Sequence, residues 1–441
     1  MTSSPRAGSR PRVLLLAASC GPERGSEPGV GWNRAVQAAR SFDTWVVCTD
    51  TFASEIRRHL ASAGDRPGLH VVFVPKSRGS RWLAALPGGY YLGYHLWHRR
   101  AYRVARALHA QVGFDLAHQV TLCTYREPGY LGRLGIPWIW GPVGGTQNCP
   151  WRFLAECGLG GGAREAVRTV ANVLQLRLDR RGRRAGRRAA ALLAANSTNR
   201  RDLERAWGVR PQLLLETGVA RLRPLRRARA DDAILRVLWC GVMQPFKGLS
   251  LLLRALTLVP PDVPYVLRVI GDGPARARWV REARRLGVAP RIVWLGQRPH
   301  AEVVARYAES DVFVFTSLRD TSGNVVLEAL AAGVPVVCLD HQGAADIVTE
   351  ACGIKVPVTT PRQVSAALAG GLTDLARDPA RLERLRGAAV ERARQYLWSH
   401  QGDVMASIYR RVAHRAAGAT ALDAASLGEV AAPTARAGSG S

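Results

Sequence analysis

The stretch that decides the fold is Val312-Phe-Val-Phe-Thr-Ser-Leu-Arg-Asp-Thr-Ser-Gly-Asn-Val-Val-Leu-Glu-Ala-Leu-Ala-Ala-Gly-Val-Pro-Val-Val337. A β-branched and aromatic run ends at Thr316, and a polar loop carries Asp320-Thr-Ser-Gly323. The pattern then predicts a helix from about Asn324 to Ala332. Gly333 is placed to stop that helix, and Pro335 opens the next strand. The loop would aim the N–H groups near Gly323, Asn324 and Val325 outward at the positive end of a helix, a ready phosphate site. Asp320 and Glu328 flank it, and two carboxylates there can accept hydrogen bonds from sugar or ribose hydroxyls. The plainer alternative is a Thr or Ser helix cap with Glu328 as a solvated helix residue.

Working outward, the same strand–loop–helix unit recurs. Val237-Leu-Trp-Cys-Gly-Val-Met-Gln-Pro-Phe-Lys-Gly-Leu-Ser-Leu-Leu-Leu253 ends a strand at Gly241 and closes its loop at Lys247-Gly248. A lysine there can neutralise a diphosphate as a point charge. The alternative is an ordinary exposed lysine, but the chain has only Lys76, Lys247 and Lys355, so 59 of its 62 basic residues are arginine. Compositional drift would have placed Arg at 247. Further strands are expected at Arg236–Cys240, Tyr265–Ile270, Arg291–Leu295, Val312–Thr316 and Val334–Leu339, alternating with helices.

Towards the N-terminus the series repeats. Strands are expected at Val13–Ala17, Trp45–Thr49, Leu69–Val74, Leu116–His118, Trp138–Trp140 and Ala190–Ala194, and a Gly-rich loop, Gly21–Gly31, follows the first. The fold class is therefore α/β: two Rossmann-like domains with parallel sheets, facing each other across a cleft. We read residues 1–12 as a disordered N-terminus and 13–222 as the N-terminal domain. Residues 223–233 form a linker overlapping the Arg/Ala/Pro/Asp tract Arg221–Asp232, and 234–394 form the C-terminal domain. Residues 395–416 form a helix crossing back to the first domain, and 417–441 a disordered tail.

The 441 residues are 47% hydrophobic, enough for two cores, which excludes a mostly disordered chain. A net charge of +28 raises nucleic acid or an anionic membrane as partners without selecting either. No RNP-type aromatic motif or zinc finger supports specific nucleic-acid binding. No apolar run approaches the roughly 18 residues of a membrane span. Val13–Ala18 is shorter than the ~7–15 residues of a signal-peptide core and reads as a strand. The expected location is the cytoplasm, at most the inner face of the cytoplasmic membrane. The eight cysteines contain no C-x-x-C pair and read as buried, reduced thiols. Gly271-Asp-Gly-Pro274 fails as a dinucleotide fingerprint, because Arg276 stands where the third glycine belongs.

These segments, in order, resemble glycosyltransferase family 4, retaining enzymes of the GT-B fold active on polysaccharides and the cell envelope. The resemblance rests on Lys247-Gly248, Val269-Ile-Gly-Asp-Gly-Pro274, Val293-Trp-Leu-Gly296, Ala308-Glu-Ser-Asp-Val-Phe-Val-Phe315 and Asp320-x7-Glu328-Ala-x-Ala-x-Gly333-x-Pro335-Val336. It extends more loosely through Gly25–Gly31, Phe114–His118 and Trp140–Gly145, covering roughly Val13 to Ala413. It implies a nucleoside diphosphate sugar as donor, no cofactor, and a glycan or lipid-linked hydroxyl as acceptor. Donor contacts are expected from Gly29, Gly31, Gly241, Gly248, Thr321, Ser322, Gly323, Asn324 and Val325. Lys247, Asp320, Glu328 and His118 are expected at the reacting centre, Glu328 on the ribose and Asp320 on the transferred sugar. No metal is expected, since no Asp-x-Asp occurs. Two departures stand out: Asp320 occupies the place of the family's first Glu, and Val242 that of an arginine, with Arg319 and Arg298 as candidate replacements. His118 could equally be a strand-end histidine satisfied by backbone, and Glu27 could face the acceptor or merely cap a helix.

Two rival functions share this frame, a sugar-nucleotide epimerase and a catalytically weak sugar-nucleotide-binding protein. Arg164–Arg188 carries nine arginines among Val and Leu and reads either as a surface for anionic lipid or as a solvated helix and loop. Tyr90-Tyr91-Leu-Gly-Tyr94 and Trp97 read either as an acceptor groove or as core.

Overall fold

The computed structural model describes residues 10–22, 24–63, 66–76, 89–223 and 234–428. Seven strands build the first sheet: β1 (Arg12–Ala17), β2 (Asp43–Cys48), β3 (Leu69–Phe73), β4 (Leu116–Thr121), β5 (Trp138–Val143), β6 (Ala191–Ala194) and β7 (Gln212–Leu213). Six build the second: β8 (Leu235–Cys240), β9 (Tyr265–Ile270), β10 (Ile292–Gly296), β11 (Val312–Phe315), β12 (Val336–Leu339) and β13 (Gly353–Val356). The strand orders are β3-β2-β1-β4-β5-β6-β7 and β10-β9-β8-β11-β12-β13, parallel throughout. Each sheet reverses direction beside its first strand, at β1/β4 and at β8/β11. Crevices open beyond the carboxyl ends of strands at such switch points.

The helices of the first domain are α1 (Ser26–Ala38), α2 (Ala53–Ala63), α3 (Gly89–Val112), α4 (Leu159–Leu178), α5 (Arg180–Arg188) and α6 (Ser197–Trp207). Those after the linker are α7 (Leu249–Leu256), α8 (Arg276–Arg285), α9 (His300–Ala308), α10 (Asn324–Ala331), α11 (Gln342–Ile347), α12 (Pro361–Arg377), α13 (Pro379–Arg394) and α14 (Trp398–Gly428). Helices cover both faces of each sheet, so β4, β5, β6, β11 and β12 are buried at every position. This is why they read as continuous apolar runs rather than alternating ones. Gly333, at φ 70°, terminates α10 as expected, with Val334 N–H returning to the Ala329 carbonyl.

The last helix does cross back. Trp398, Met405, Ile408, Tyr409 and Val412 of α14 join the core formed by Val30, Ala35 and Phe42. Arg34 of α1, buried under Trp398, donates to the Leu215 carbonyl at 2.7 Å and the Gln401 carbonyl at 3.3 Å. The two strands of chain linking the domains also touch. Val219 N–H bonds Tyr396 O at 2.9 Å, and Trp398 N–H bonds Val219 O at 3.0 Å. Helix α14 continues to Gly428, past the 416 expected from the sequence. Residues 1–9, 224–233 and 429–441 lie outside the described residues, as does the Tyr90 side chain, so most of the expected linker is among them. Tyr94 and Trp97 are core, whereas Tyr91 is exposed.

Helix α4 reverses the usual amphipathic arrangement. Its inward face is polar: Glu165, Thr169 and Asn172 are buried. Its outward face is apolar, with Val167, Val170, Leu174 and Leu178 exposed by 71%, 48%, 51% and 73%. Among the described residues no helix is long and apolar enough to cross a membrane.

Candidate active site

Strand ends from both switch points converge on one cavity of about 380 Å³. Ser26, Glu27, Cys123 and Glu216 line it from the first domain, and Gly241, Val242, Lys247 and residues 320–325 from the second. Eight sequence-predicted site residues therefore meet here: Gly241, Lys247, Asp320, Thr321, Ser322, Gly323, Asn324 and Val325.

Lys247 is held by its own backbone. Its carbonyl accepts from Thr316 Oγ1 at 2.8 Å, and Leu318 N–H bonds the Phe246 carbonyl at 2.8 Å. Its ammonium pairs with the Asp320 carboxylate and lies 5.8 Å from the ring centres of Phe246 and Phe315. The 320–323 loop is clamped from several sides. Gln342 accepts from Asp320 N–H at 2.6 Å, Asn196 donates to the Thr321 carbonyl at 2.6 Å, and Gln147 donates to the Thr321 hydroxyl. Gln342, at φ 54°, is one of two non-glycine residues with positive φ among those described; the other is Ser26, at 57°. Both touch this site, where such strain commonly concentrates. Gly323, at φ 73°, caps α10 with no side-chain bond, so the Thr or Ser cap is not formed. The first amides of α10 therefore face the cavity.

The other wall is acidic. Glu27 Oε1 accepts from Cys123 N–H at 2.8 Å, while Oε2 is buried without a partner among the described residues. Burial raises its carboxyl above the usual range. Glu216 accepts from the Ser322 hydroxyl, and burial pushes its carboxyl up to about 7. Sequence reading left Glu27 ambiguous and missed Glu216. The available signal was an acid at the end of the apolar run Leu213-Leu-Leu215, directly before Thr217-Gly218.

Other predicted residues sit elsewhere. His118 is fully buried beneath α14: Nε2 bonds the Gly141 carbonyl at 2.6 Å and Nδ1 accepts from Tyr409 Oη at 2.7 Å. Both ring nitrogens are engaged, which is the strand-end alternative, although a side chain supplies the second partner. Glu328 does not line the cavity; its carboxylate meets His300 Nε2 at 3.2 Å and Tyr307 Oη at 3.3 Å. The bond to Glu328 raises the His300 imidazole. Gly29 and Gly31 are packing residues of α1, where a Cβ would lie 2.1 Å from Arg24 O and 2.0 Å from Ser19 O respectively. Gly248, at φ 65°, allows similar close approach to Thr316 O. Neither arginine suggested in place of Val242 reaches the cavity lining. Arg319 makes two 3.0 Å bonds to Glu165, and Arg298 binds the Leu295 carbonyl.

Two parallel Rossmann-like domains closed on a shared cavity, with the last helix returned to the first, define the GT-B class. Residues 235–377 match the family described as Glycosyl transferases group 1. The D-inositol 3-phosphate glycosyltransferase of Corynebacterium glutamicum is 34% identical over 181 residues, 39% of this chain and 42% of that protein. The enzyme of the same name from Rhodococcus jostii is 31% identical over 238 residues, 49% and 52% of the two chains. The match thus spans about half the length of these relatives. Among solved structures, Anabaena HepE in complex with UDP superposes with TM-score 0.60 at 17% identity, covering 91% of this chain and all of that one. The lipopolysaccharide outer core galactosyltransferase WaaB gives TM-score 0.62 at 11% identity, covering 91% and 99%. These structural likenesses establish the fold, and the family match lies in residues 235–377 of the second domain.

Proposed function

We propose that this chain is a retaining glycosyltransferase. It moves a sugar from a nucleoside diphosphate sugar to the hydroxyl of a glycan or lipid-linked acceptor of the cell envelope or an exopolysaccharide. The observation that carries this reading is the cavity itself: a lysine and a helix N-terminus on one side, two carboxylic acids on the other. Negative charge grows on the diphosphate as the glycosidic bond breaks, so Lys247 and the Gly323–Val325 amides act mainly in the transition state. Asp320 orients the Lys247 ammonium and faces the sugar. Glu27 and Glu216 meet acceptor or sugar hydroxyls. The leaving phosphate takes the acceptor proton in a front-face displacement, and no metal ion is required.

HepE is described in complex with UDP and with UDP-glucose, which makes these the first donors to try. Release of UDP from UDP-glucose that depends on added acceptor, is unaffected by EDTA and gives an α-linked product supports the reading. Conversion of the donor alone into an epimer overturns it in favour of an epimerase. Tight donor binding without turnover leaves the weak sugar-nucleotide-binding protein.

The outward apolar face of α4, flanked by the arginines of 164–188, supports peripheral contact with an anionic membrane at the inner face of the cytoplasmic membrane. Flotation with phosphatidylglycerol vesicles tests it. Val167→Ser combined with Leu174→Ser should abolish flotation without altering transfer to a soluble acceptor.

A further inference from the structure

A second cavity, of about 420 Å³, opens on the first domain between the turn Leu131–Arg133 and α5. Arg133, Arg180, Arg181, Arg184, Arg188 and Trp138 are among its lining residues. None of them belongs to the interdomain cleft. Helix α5 reads Arg-Arg-Gly-Arg-Arg-Ala-Gly-Arg-Arg, six arginines in nine residues, and the fold uses only some of them. Arg181 binds Glu127, Arg183 donates to the Arg177 and Ala206 carbonyls, and Arg187 donates to the Trp207 carbonyl. Arg180, Arg184 and Arg188 recur every fourth residue and so share one helical face, the one on the cavity. Among the described residues no carboxylate pairs with any of these three, or with Arg133.

Like charges at four-residue spacing destabilise a helix, and Arg180 at its first position opposes the helix dipole. The isolated protein bears that repulsion, and a bound anion would relieve it. Trp138 adds an independent observation. The residue is only 5% exposed, and its buried indole N–H has no partner among the described residues. Gly132 also lines the cavity, and a Cβ there would lie 2.9 Å from the indole nitrogen. A side chain at 132 would therefore crowd the indole, which packs directly against this turn. A buried N–H is costly to leave unpaired.

We infer that this cavity binds a phosphate group, a monoester, diester or diphosphate carried on a larger molecule. Guanidinium forks match phosphate oxygens two at a time, and four cations without a carboxylate partner suit a polyanion better than a single carboxylate. The inference is independent of the glycosyl-transfer reading, because none of its residues lines the catalytic cavity.

The test uses the full chain and inorganic pyrophosphate, titrated calorimetrically at 150 mM salt with UDP present to occupy the cleft. Saturable binding at one site is expected. It should weaken at least tenfold in the triple variant Arg180→Gln/Arg184→Gln/Arg188→Gln. Arg281→Gln/Arg284→Gln/Arg285→Gln on α8 removes the same charge elsewhere and should change binding less than twofold. Equal loss in both triples, or no saturable binding, overturns the inference. Vesicles distinguish the source of the phosphate. Loss of phosphatidylglycerol flotation in the α5 triple, with competition by pyrophosphate, assigns a lipid headgroup. Undiminished flotation beside lost pyrophosphate binding assigns a soluble phosphate.

Discussion

The Ser322 hydroxyl, on the loop that opens α10, donates a hydrogen bond across the cleft to the Glu216 carboxylate. This contact joins the two domains at the cavity, and its acceptor is an acid whose pKa burial has pushed up to about 7. The folded chain therefore holds a proton that the unfolded chain releases above the ordinary glutamate range. The resulting stabilisation is fully present below about pH 4.5 and is lost as pH rises through 7. Glu216→Gln removes the titration. Its melting temperature, relative to wild type, should climb between pH 5 and 8 by an amount equivalent to about 1–3 kcal/mol. A pH-independent difference would remove Glu216 as the titrating group.

Lys247→Ala should lower turnover with a nucleoside diphosphate sugar by about 10²–10³, the loss typical of one transition-state donor. Its melting temperature should shift little, because the ion pair with Asp320 is partly solvated. Steady-state kinetics beside a thermal melt separates the two effects. Wild-type turnover in the variant would end the phosphate assignment.

His118 and Tyr409 should matter for stability and not for chemistry. Tyr409→Phe leaves His118 Nδ1 buried without its donor, at a cost of about 1–3 kcal/mol, while kcat of the folded protein stays within about twofold. Burial also lowers the His118 imidazole to about 3 and that of His98 to about 4. The unfolded chain takes up these protons below about pH 6.5, so their stabilisation is present above 6.5 and lost as pH falls towards 3. Denaturant titrations from pH 7 to 4 should show that decline, and His118→Gln should make it shallower.

The second domain is pinned at one buried ion pair. Asp311 accepts from Arg386 at 2.6 Å and from Arg236 N–H at 2.8 Å, and both side chains of the Asp311–Arg386 pair are nearly inaccessible. Asp311→Ala strands a buried guanidinium and should cost about 3–5 kcal/mol. Arg386→Met combined with Asp311→Ala should recover much of this, measured by urea unfolding.

Much of this architecture was legible because parallel strands buried on both faces are unbroken apolar runs. Eleven strands were expected, each within a few residues of its observed place. The two not anticipated are the two-residue exposed β7 and Gly353-Ile-Lys-Val356, whose mixed composition carries no run. The loop at 320–325 and Lys247 were readable because strand–loop–helix order fixes where they point. Glu216 and the burial of His118 were not, since each depends on a partner far along the chain: Ser322 lies 106 residues away, and Tyr409 lies 291. Gly29 and Gly31 illustrate the converse difficulty. A Gly-rich first loop suggests a ligand, yet these two glycines admit carbonyl oxygens of the chain itself.

The paired hydrogen bonds between Val219 and the Tyr396–Trp398 segment have a mechanical consequence. The polypeptide passes between the domains twice, and the second passage is fastened to the first near a single point. Any relative motion that separates the two passages has to break both hydrogen bonds, so Val219 and the Tyr396–Trp398 segment behave as one piece. Ser322 and Glu216 meet across the cavity, so their hydrogen bond is one of the contacts that any opening of the cleft has to break.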